Sequence, residues 1–245
     1  AATKQMGAWH VKTLYSQAYR NPSMENINGF DYVNYKLKPE KTNDLELEGG
    51  YQYSRDGLLT LDVFDTRITD AIIYVSATDS YITAPKLGTR GFELEHHYRR
   101  SWGFSNLGYS FYKVSSNEVD SYRVDENRNV LLGAPQHKLT WFGSYRLSDH
   151  LSVSPSLIYF GTNWSNSYSR SADAYVGQKL DPVTLLNINF GYVDLVGVKG
   201  LSTALGVFNA FNQRNDFVMA YRSEHEDVPG PTREMVARVG YSQDF

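Results

Sequence analysis

The chain has 245 residues, a length that suits one all-β barrel or sandwich. Its formal net charge of −3 gives no electrostatic reason to expect nucleic-acid binding, and its 41% apolar content excludes a disordered chain. The sequence contains no cysteine, which excludes disulfides and cysteine-ligated metal sites.

Aromatic residues are frequent, with 19 Tyr, 12 Phe and 4 Trp. Tyr and Trp are favoured where a ring lies in an apolar layer and a polar group reaches water, as at a membrane interface. No run of about 18 apolar residues predicts a transmembrane helix, although transmembrane β-strands escape that test. The first ten residues lack the regions of a signal peptide, so we expect a chain that is cytosolic, already processed or part of something longer.

Polar and apolar residues alternate along most of the chain, as the stretch DLELEGGYQY illustrates. There Leu45, Leu47 and Tyr51 share one face, and Asp44 and Glu46 share the other. A period of two is typical of strands with one apolar face. The pattern predicts ten strands, at about 8–20, 43–54, 58–75, 89–100, 104–116, 136–147, 151–163, 183–195, 200–213 and 232–245.

The connections between these strands alternate in length. Short connections lie at 54–57, 101–103, 148–150 and 196–200, and long ones at about 21–42, 76–88, 117–135, 164–182 and 214–231. A meander with this alternation places its tight turns at one end and its long loops at the other, as outer-membrane barrels do. Most predicted strands also reach the roughly nine to eleven residues that cross a bilayer.

The polar face of the predicted strands carries mostly Ser, Asn, Thr, Gly and Glu, with few lysines. Such a face suits a wet barrel interior, and the apolar face with aromatic residues towards its ends suits a lipid belt. The pattern therefore favours an all-β, antiparallel transmembrane β-barrel meander. A soluble β-protein remains the alternative at this stage.

Six stretches resemble the C-terminal half of TonB-dependent outer-membrane receptors. They are WHVKTLYSQAYRNPS (9–23), LKPEKTNDLELEGGYQY (37–53), LLTLDVFDTRITDAI (58–72), RGFELEHHYR (90–99), LGAPQHKLTWFGSY (132–145) and LGVFNAFNQRND (205–216). Each motif alone is weak, but the six stand in the family's order and cover nearly the whole chain. The resemblance implies an N-terminal plug domain and a barrel of about 22 strands.

Ten predicted strands and no plug depart from that pattern. We therefore expect residues 1–245 to be the C-terminal strands of a larger receptor barrel, with the plug domain absent and both chain ends at periplasmic turns. A self-contained barrel of ten strands, acting as a pore, adhesin or protease, is the alternative. Glu46 is expected to face the lumen, where it would contact either the plug or water.

The resemblance implies a function in transport rather than catalysis. Receptors of this kind sit in the outer membrane of Gram-negative bacteria and import a scarce ligand, most often an iron–siderophore complex, with energy delivered through TonB. The implied partners are outer-membrane lipid, the small-molecule ligand, the plug domain, TonB and the outer-membrane assembly machinery. The resemblance implies no cofactor.

The long connections and their edges carry Tyr, Trp and Arg, which give large contact areas and oriented hydrogen bonds at binding sites. We expect an extracellular ligand vestibule there, and girdle aromatics with ordinary loop packing are the alternative. The candidate ligand-binding residues are Tyr32, Tyr35, Tyr81, Tyr122, Arg123, Trp164, Tyr168, Arg170, Tyr221 and Arg222.

Other titratable residues point less clearly to a site. His96 and His97 are adjacent on one predicted strand, so they face opposite ways and cannot bind one metal ion together. The acidic tip at 224–227 is compatible with a cation or hydrolytic site and with a solvated charge cluster. We predict no metal site and no catalytic residues.

The chain ends in an apolar strand that places Tyr241 and Phe245 on the lipid side. A terminal aromatic residue on such a strand resembles the signal read by the outer-membrane assembly machinery. Gln243 departs from that signal, because the lipid-side position two before the end is often aromatic. We predict that Tyr241 and Phe245 serve membrane assembly.

Overall fold

A computed structural model describes residues 1–28, 36–75, 78–171, 173–218 and 227–242. These residues form one antiparallel sheet of eleven strands and two separate hairpins. Within the described ranges, no helix has the length and apolar character needed to cross a membrane.

The strands follow one another along the chain as a meander. Their bounds are β1 Ala2–Met6, β2 Trp9–Arg20, β3 Glu40–Gln52, β4 Gly57–Val75, β5 Ser80–Arg100, β6 Gly103–Asn117, β7 His137–Arg146, β8 Leu151–Phe160, β9 Asn163–Ser169, β10 Ala174–Leu180, β11 Val183–Val193, β12 Leu201–Phe208, β13 Asp216–Phe217, β14 Val228–Pro229 and β15 Glu234–Tyr241. The large sheet has the order β1-β2-β3-β4-β5-β6-β7-β8-β11-β12-β15, and β9–β10 and β13–β14 pair separately. A short helix, α1 (Met24–Asn28), follows β2.

All ten predicted strands are present, so the predicted antiparallel meander is confirmed. The sheet contains an additional strand, β1, whose five residues pair with Trp9–Thr13 of β2. Its sequence, ATKQM, is too short and polar to show alternation. The expectation that residue 1 lies at a periplasmic turn was therefore wrong, because β1 precedes the tight turn at Gly7 that connects it to β2. Strand β1 runs in the same direction as β15.

The predicted long connection at 76–88 was also wrong. Strands β4 and β5 stay paired as far as Val75 and Ser80, which makes them 19 and 21 residues long. Within 76–88, Tyr81, Ile82 and Thr83 favour strands and pair with Tyr74, Ile73 and Ile72 of β4, so the two strands continue as a long hairpin. The predicted long connection at 164–182 likewise contains the β9–β10 hairpin.

The register places apolar side chains of neighbouring strands in rows on one face, which we call the apolar face. Leu47 pairs with Val63, Val63 with Phe92, and Phe92 with Phe111. Leu47 and Val63 are 49% and 47% exposed, so nothing in the described chain covers this face. The opposite face, which we call the polar face, carries the carboxylates, amides and hydroxyls of the same strands.

Buried apolar side chains of the described ranges lie only at the end with the long connections. One cluster joins Ala71, Ala84 and Val119, and a second joins Val124, Val130 and Leu132. The described residues therefore provide no second layer against which the main part of the sheet could pack. A water-soluble domain would bury such a face, so the soluble alternative does not fit this architecture.

Candidate functional site

A cavity of about 600 Å³ lies at the end of the sheet with the long connections. Its floor is formed where β8 ends and β11 begins, at the directly paired residues Phe160 and Val183. The segment 133–135 contributes one wall and the segment 213–218 a second. Both floor residues belong to the polar face, so the cavity opens above that face rather than above the apolar one.

The second wall is held by a network around Asn209, a buried residue that is 6% exposed and has a left-handed φ of 46°. Its side-chain amide donates hydrogen bonds to the carbonyl oxygens of Gln213 (2.8 Å) and Pro231 (3.2 Å), and its side-chain oxygen accepts one from the Gln213 amide (3.0 Å). The Gln213 side chain in turn accepts a hydrogen bond of 2.6 Å from the backbone of Thr184 on β11. These bonds fix segment 213–218 against the sheet.

The cavity combines apolar walls with one ion pair. Phe160, Leu180 and Phe217 contribute apolar surface, and Arg214 Nε donates to both carboxylate oxygens of Asp216 at 2.8 Å. That hydrogen bond raises the pKa of Arg214 above its ordinary value, so the guanidinium stays charged. The lining also contains the carboxylate of Asp181, so an anionic group of a ligand would have to displace Asp216 from Arg214.

Three of the predicted binding residues lie together in a packed loop unit between β6 and β9. Tyr122 packs against the cluster around Val119, and Trp164 packs against the cluster around Val124. Arg123 forms ion pairs with Asp120 and with Asp125, the latter at 2.9 Å. The structure places these three side chains in contacts within the loop, and their role in ligand binding stays a prediction.

The other three predicted binding residues with described side chains have different surroundings. Tyr81 is 8% exposed, its ring meets that of Tyr74 edge-on with centroids 5.5 Å apart, and its hydroxyl lies 3.5 Å from Glu25. Tyr168 and Arg170 project from the β9–β10 hairpin, where both are exposed. None of the six predicted residues with described side chains lines the cavity.

The remaining predicted residues are Tyr32, Tyr35, Tyr221, Arg222 and Phe245, which lie outside the described residues, and Tyr241, which is exposed on β15. The acidic tip at 224–227 lies almost wholly outside them as well. His96 and His97 do face opposite ways: His96 contacts the Tyr53 hydroxyl at 2.7 Å, and His97 contacts Asn106 at 2.7 Å.

Sequence analysis missed the cavity residues Phe160, Arg214 and Phe217. The stretch LGVFNAFNQRND contained a signal, because its asparagines Asn209 and Asn212, a residue type that tolerates left-handed backbone, stand directly before the cavity wall and both have positive φ. The sequence pattern did not show that the end of β8 and the segment 213–218 line the same cavity. Their proximity depends on the pairing of β8 with β11, two strands that are separated in the chain by the β9–β10 hairpin.

The polar face of the sheet divides into two sectors. On β3 to β5 it carries Asp44, Glu46, Glu48, Asp62, Glu93 and Glu95. His10 Nε2 lies 2.9 Å and Lys12 Nζ 3.6 Å from the Glu48 carboxylate. On β8 and β11, below the cavity, the same face carries Ser152, Ser154, Ser156, Asn187 and Asn189. The acidic sector thus stands beside a neutral sector of hydroxyls and amides.

A family model described as "TonB dependent receptor-like, beta-barrel" matches residues 7–210. Among solved structures, the ferripyoverdine receptor of the Pseudomonas aeruginosa outer membrane is similar with a TM-score of 0.75 and 15% identity, over 98% of this chain and 32% of that one. The ferric-catecholate import receptor Fiu of E. coli K12 is similar with a TM-score of 0.74 and 18% identity, over 97% and 33%.

The FrpB iron transporter of Neisseria meningitidis is similar with a TM-score of 0.71 and 17% identity, over 97% of this chain and 37% of that one. At such low identity these likenesses establish the fold. The chain spans about a third of the length of these receptors. No curated protein sequence matches it significantly.

Proposed function

Because the chain belongs to the TonB-dependent receptor β-barrel family, we propose that it is part of the wall of a receptor that imports an iron–siderophore complex. Barrels of this family lie in the outer membrane of Gram-negative bacteria, which explains the uncovered apolar face. In this proposal the apolar face meets lipid, the polar face lines the lumen, and the long connections are extracellular. We assign no catalytic role to the chain.

The observation that carries the ligand assignment is the cavity at the extracellular end of β8 and β11. A ferric chelate combines an apolar or aromatic body with anionic oxygens around the metal. Phe160, Leu180 and Phe217 suit the first part. Arg214 would bind the second by exchanging its Asp216 partner for the chelate oxygens, next to the carboxylate of Asp181. The solved neighbours include receptors for ferripyoverdine and ferric catecholates, which supports the same class of ligand.

We propose further that a plug domain occupies the lumen against the acidic sector of β3 to β5. Carboxylates such as Glu46, Glu48 and Asp62 could receive basic plug residues by charge complementarity. TonB would act on that plug, and the ligand would pass towards the periplasm. Tyr241 and Phe245 would serve recognition by the outer-membrane assembly machinery.

A self-contained small barrel does not fit the strand directions. Strands β1 and β15 are the two edges of the sheet and run the same way. Joining them directly would create a parallel pair, whereas the other pairs of the sheet are antiparallel. A wall completed by further strands of a larger receptor avoids this conflict and supports the receptor proposal.

The first test is binding of ferric chelates to the full-length receptor carrying Phe217→Ala or Arg214→Ala. The probes are one ferric hydroxamate and one ferric catecholate, measured by quenching of intrinsic fluorescence. We expect the affinity for the better chelate to fall about tenfold or more in each variant, since truncating a central contact commonly costs above ~1 kcal/mol.

The matched controls are Phe211→Ala and Arg233→Ala, because both residues lie in the same connection outside the cavity lining. We expect them to bind like the parent. Equal losses in control and cavity variants would contradict the cavity as ligand site. Binding of neither chelate by the parent receptor would contradict the siderophore assignment.

A further inference from the structure

A second cavity, of about 620 Å³, lies at the end of the sheet with the tight turns, and we call it the mouth cavity. The turns that connect β5 to β6 and β7 to β8 frame it. Most of its strand residues, among them Arg99, Phe104, Arg146 and Ser152, belong to the polar face. In the proposed function the tight turns are periplasmic, so this cavity lies where an imported ligand leaves the lumen.

Two guanidinium groups stand on either side of an aromatic ring in the mouth cavity. Arg99 on β5 lies directly opposite Phe104 on β6, and its Cζ is 5.6 Å from the centre of the Phe104 ring. On the other side Phe104 lies opposite Ser144 on β7, and Arg146 follows two residues later on the same face. Diagonal neighbours in a sheet are roughly 7–8 Å apart, so the ring lies between the two arginines.

Within the described residues, neither Arg99 nor Arg146 forms an ion pair with a carboxylate. In this respect they differ from Arg214 in the first cavity, which is paired with Asp216. The lining contains one carboxylate, that of Asp149, which is exposed in the turn between β7 and β8. The mouth cavity therefore offers two guanidinium groups to an anion without the loss of an existing ion pair.

A second ring extends the aromatic surface beside these arginines. Phe142 on β7 meets Phe104 edge-on with ring centroids 6.3 Å apart, and it is 49% exposed although it belongs to the polar face. Aromatic rings offer stacking surface to a planar aromatic group, and guanidinium groups bind paired anionic oxygens. A ligand that combines aromatic groups with anionic oxygens would contact both kinds of side chain.

The wall between the two cavities is free of negative charge. Strand β8 runs from Ser152 in the mouth cavity to Phe160 in the first cavity, and between them its polar face carries Ser154, Ser156 and Ile158. Strands β6, β7, β8, β11 and β12 contain neither aspartate nor glutamate. The acidic sector lies on β3 to β5, so an anion that follows β8 and β11 avoids repulsion by like charges.

We propose that the mouth cavity is an exit site for the imported chelate in an anionic form. The anionic oxygens of the chelate bind Arg99 and Arg146, and its aromatic groups pack on Phe104 and Phe142, before release into the periplasm. The exit site rests on the proposed import of a ferric chelate and adds the route by which the chelate leaves the lumen, along β8 and β11. Exposed ion pairs are weak, which suits a site from which a ligand must depart.

The experiment measures binding and uptake separately in cells that produce the full-length receptor. The probe is a ferric catecholate labelled with radioactive iron, chosen because the complex is anionic. Binding is measured in cells without metabolic energy, and the initial rate of uptake is measured in energised cells. A ferric hydroxamate, whose iron-binding core is uncharged, is tested in parallel.

Three variants are compared with the parent receptor. The test variant is Arg99→Gln with Arg146→Gln. The control variant is Lys4→Gln with Lys199→Gln, which removes the same charge at exposed positions of the same end, outside the cavity lining. A third variant, Arg99→Lys with Arg146→Lys, keeps the positive charge in the mouth cavity.

We expect the test variant to take up the ferric catecholate about fivefold or more slowly, since each exposed ion pair with the ligand contributes up to about fivefold. Its binding without energy should stay within about twofold of the parent, because the first cavity is unchanged. The control and charge-keeping variants should match the parent within about twofold in both measurements. If the test variant fails to insert, Arg146→Gln alone replaces it, with an expected loss of about threefold in uptake rate.

The exit site is overturned by unchanged uptake in the test variant or by an equal loss in the control or charge-keeping variant. It is also overturned if the test variant, without chelate, becomes open to protease cleavage inside the lumen, because the two arginines would then hold an acidic segment of the plug.

The same measurements distinguish this inference from the proposed function. A parent receptor that binds and imports only the hydroxamate, or whose uptake is the same in every variant, contradicts the exit site and leaves the import of a ferric chelate standing. A parent receptor that binds neither chelate contradicts the proposed function and the exit site together.

Discussion

The two faces of β3 carry opposite chemistry over the same few residues. On the apolar face Leu45 and Leu47 are 51% and 49% exposed, with no layer of the described chain above them. On the polar face Glu48 lies beside His10 and Lys12 in a network of charged groups. In the proposed barrel the apolar side chains face outwards and the charged side chains face the lumen. A soluble barrel has the reverse arrangement.

The difference between the two faces indicates which interactions stabilise the sheet. Among the described residues, buried apolar clusters lie only at the end with the long connections, so the rest of the sheet gains little from an internal core. Its stability comes from the continuous backbone ladder and from the lipid that covers the apolar face. A substitution should therefore have different effects on the two faces even at adjacent positions of one strand.

The largest expected effect is that of a charge in the middle of the apolar face. Leu61→Arg places a guanidinium among Leu59, Val63 and Leu94, where lipid offers it no partner. We expect a loss of about 2–4 kcal/mol in the free energy of unfolding in lipid vesicles.

The matched control for that change is Thr60→Arg, one residue earlier on the polar face and directly opposite Glu95. It should lower the free energy of unfolding by less than about 1 kcal/mol. Similar losses for both variants, measured by urea titration, would contradict the assignment of the two faces.

A smaller effect is expected where two strands approach closely on the polar face. A Cβ added at Gly91 would lie 2.0 Å from the backbone oxygen of Phe111 and 2.8 Å from Tyr112 Cα. Gly91→Ala should therefore shift β5 from β6 and destabilise the barrel by about 1–3 kcal/mol.

Gly49→Ala is the control, because nothing lies within 4 Å of the added methyl group on the apolar face. Its free energy of unfolding should match that of the parent or exceed it slightly. The same urea titration separates the two variants, and a greater loss for Gly49→Ala would reverse the expected order.

Much of the fold follows from periodicity because the sheet is regular and local. Each strand pairs with its chain neighbour, apart from the inserted hairpins, so alternation and turn positions predicted the meander. Strand β1 was not predicted because ATKQM has no apolar alternation. The full length of the β4–β5 hairpin was not predicted because it depends on tertiary packing of Ala71 and Ala84 against Val119.

The candidate site was less accessible to sequence reasoning. Tyr122 and Trp164 were predicted as ligand-binding residues from their residue type. Their surroundings, however, are set by packing between separate loops. The cavity wall depends on Asn209, whose hydrogen bonds reach Gln213 and Pro231. Residue types indicated which side chains could bind a ligand, whereas only the fold shows which ones share a cavity.

The central claim is that one face of this sheet meets lipid and the other meets the aqueous lumen. This chain has no cysteine. Single cysteines at positions 44 to 48 of the full-length receptor, with any cysteine outside this chain replaced by serine, can each carry a nitroxide label in vesicles. Collision with oxygen, which concentrates in lipid, is compared with collision with a water-soluble nickel chelate. We predict that labels at Leu45 and Leu47 favour oxygen and that labels at Asp44, Glu46 and Glu48 favour nickel; a ratio without this alternation, or with the opposite phase, would contradict the account.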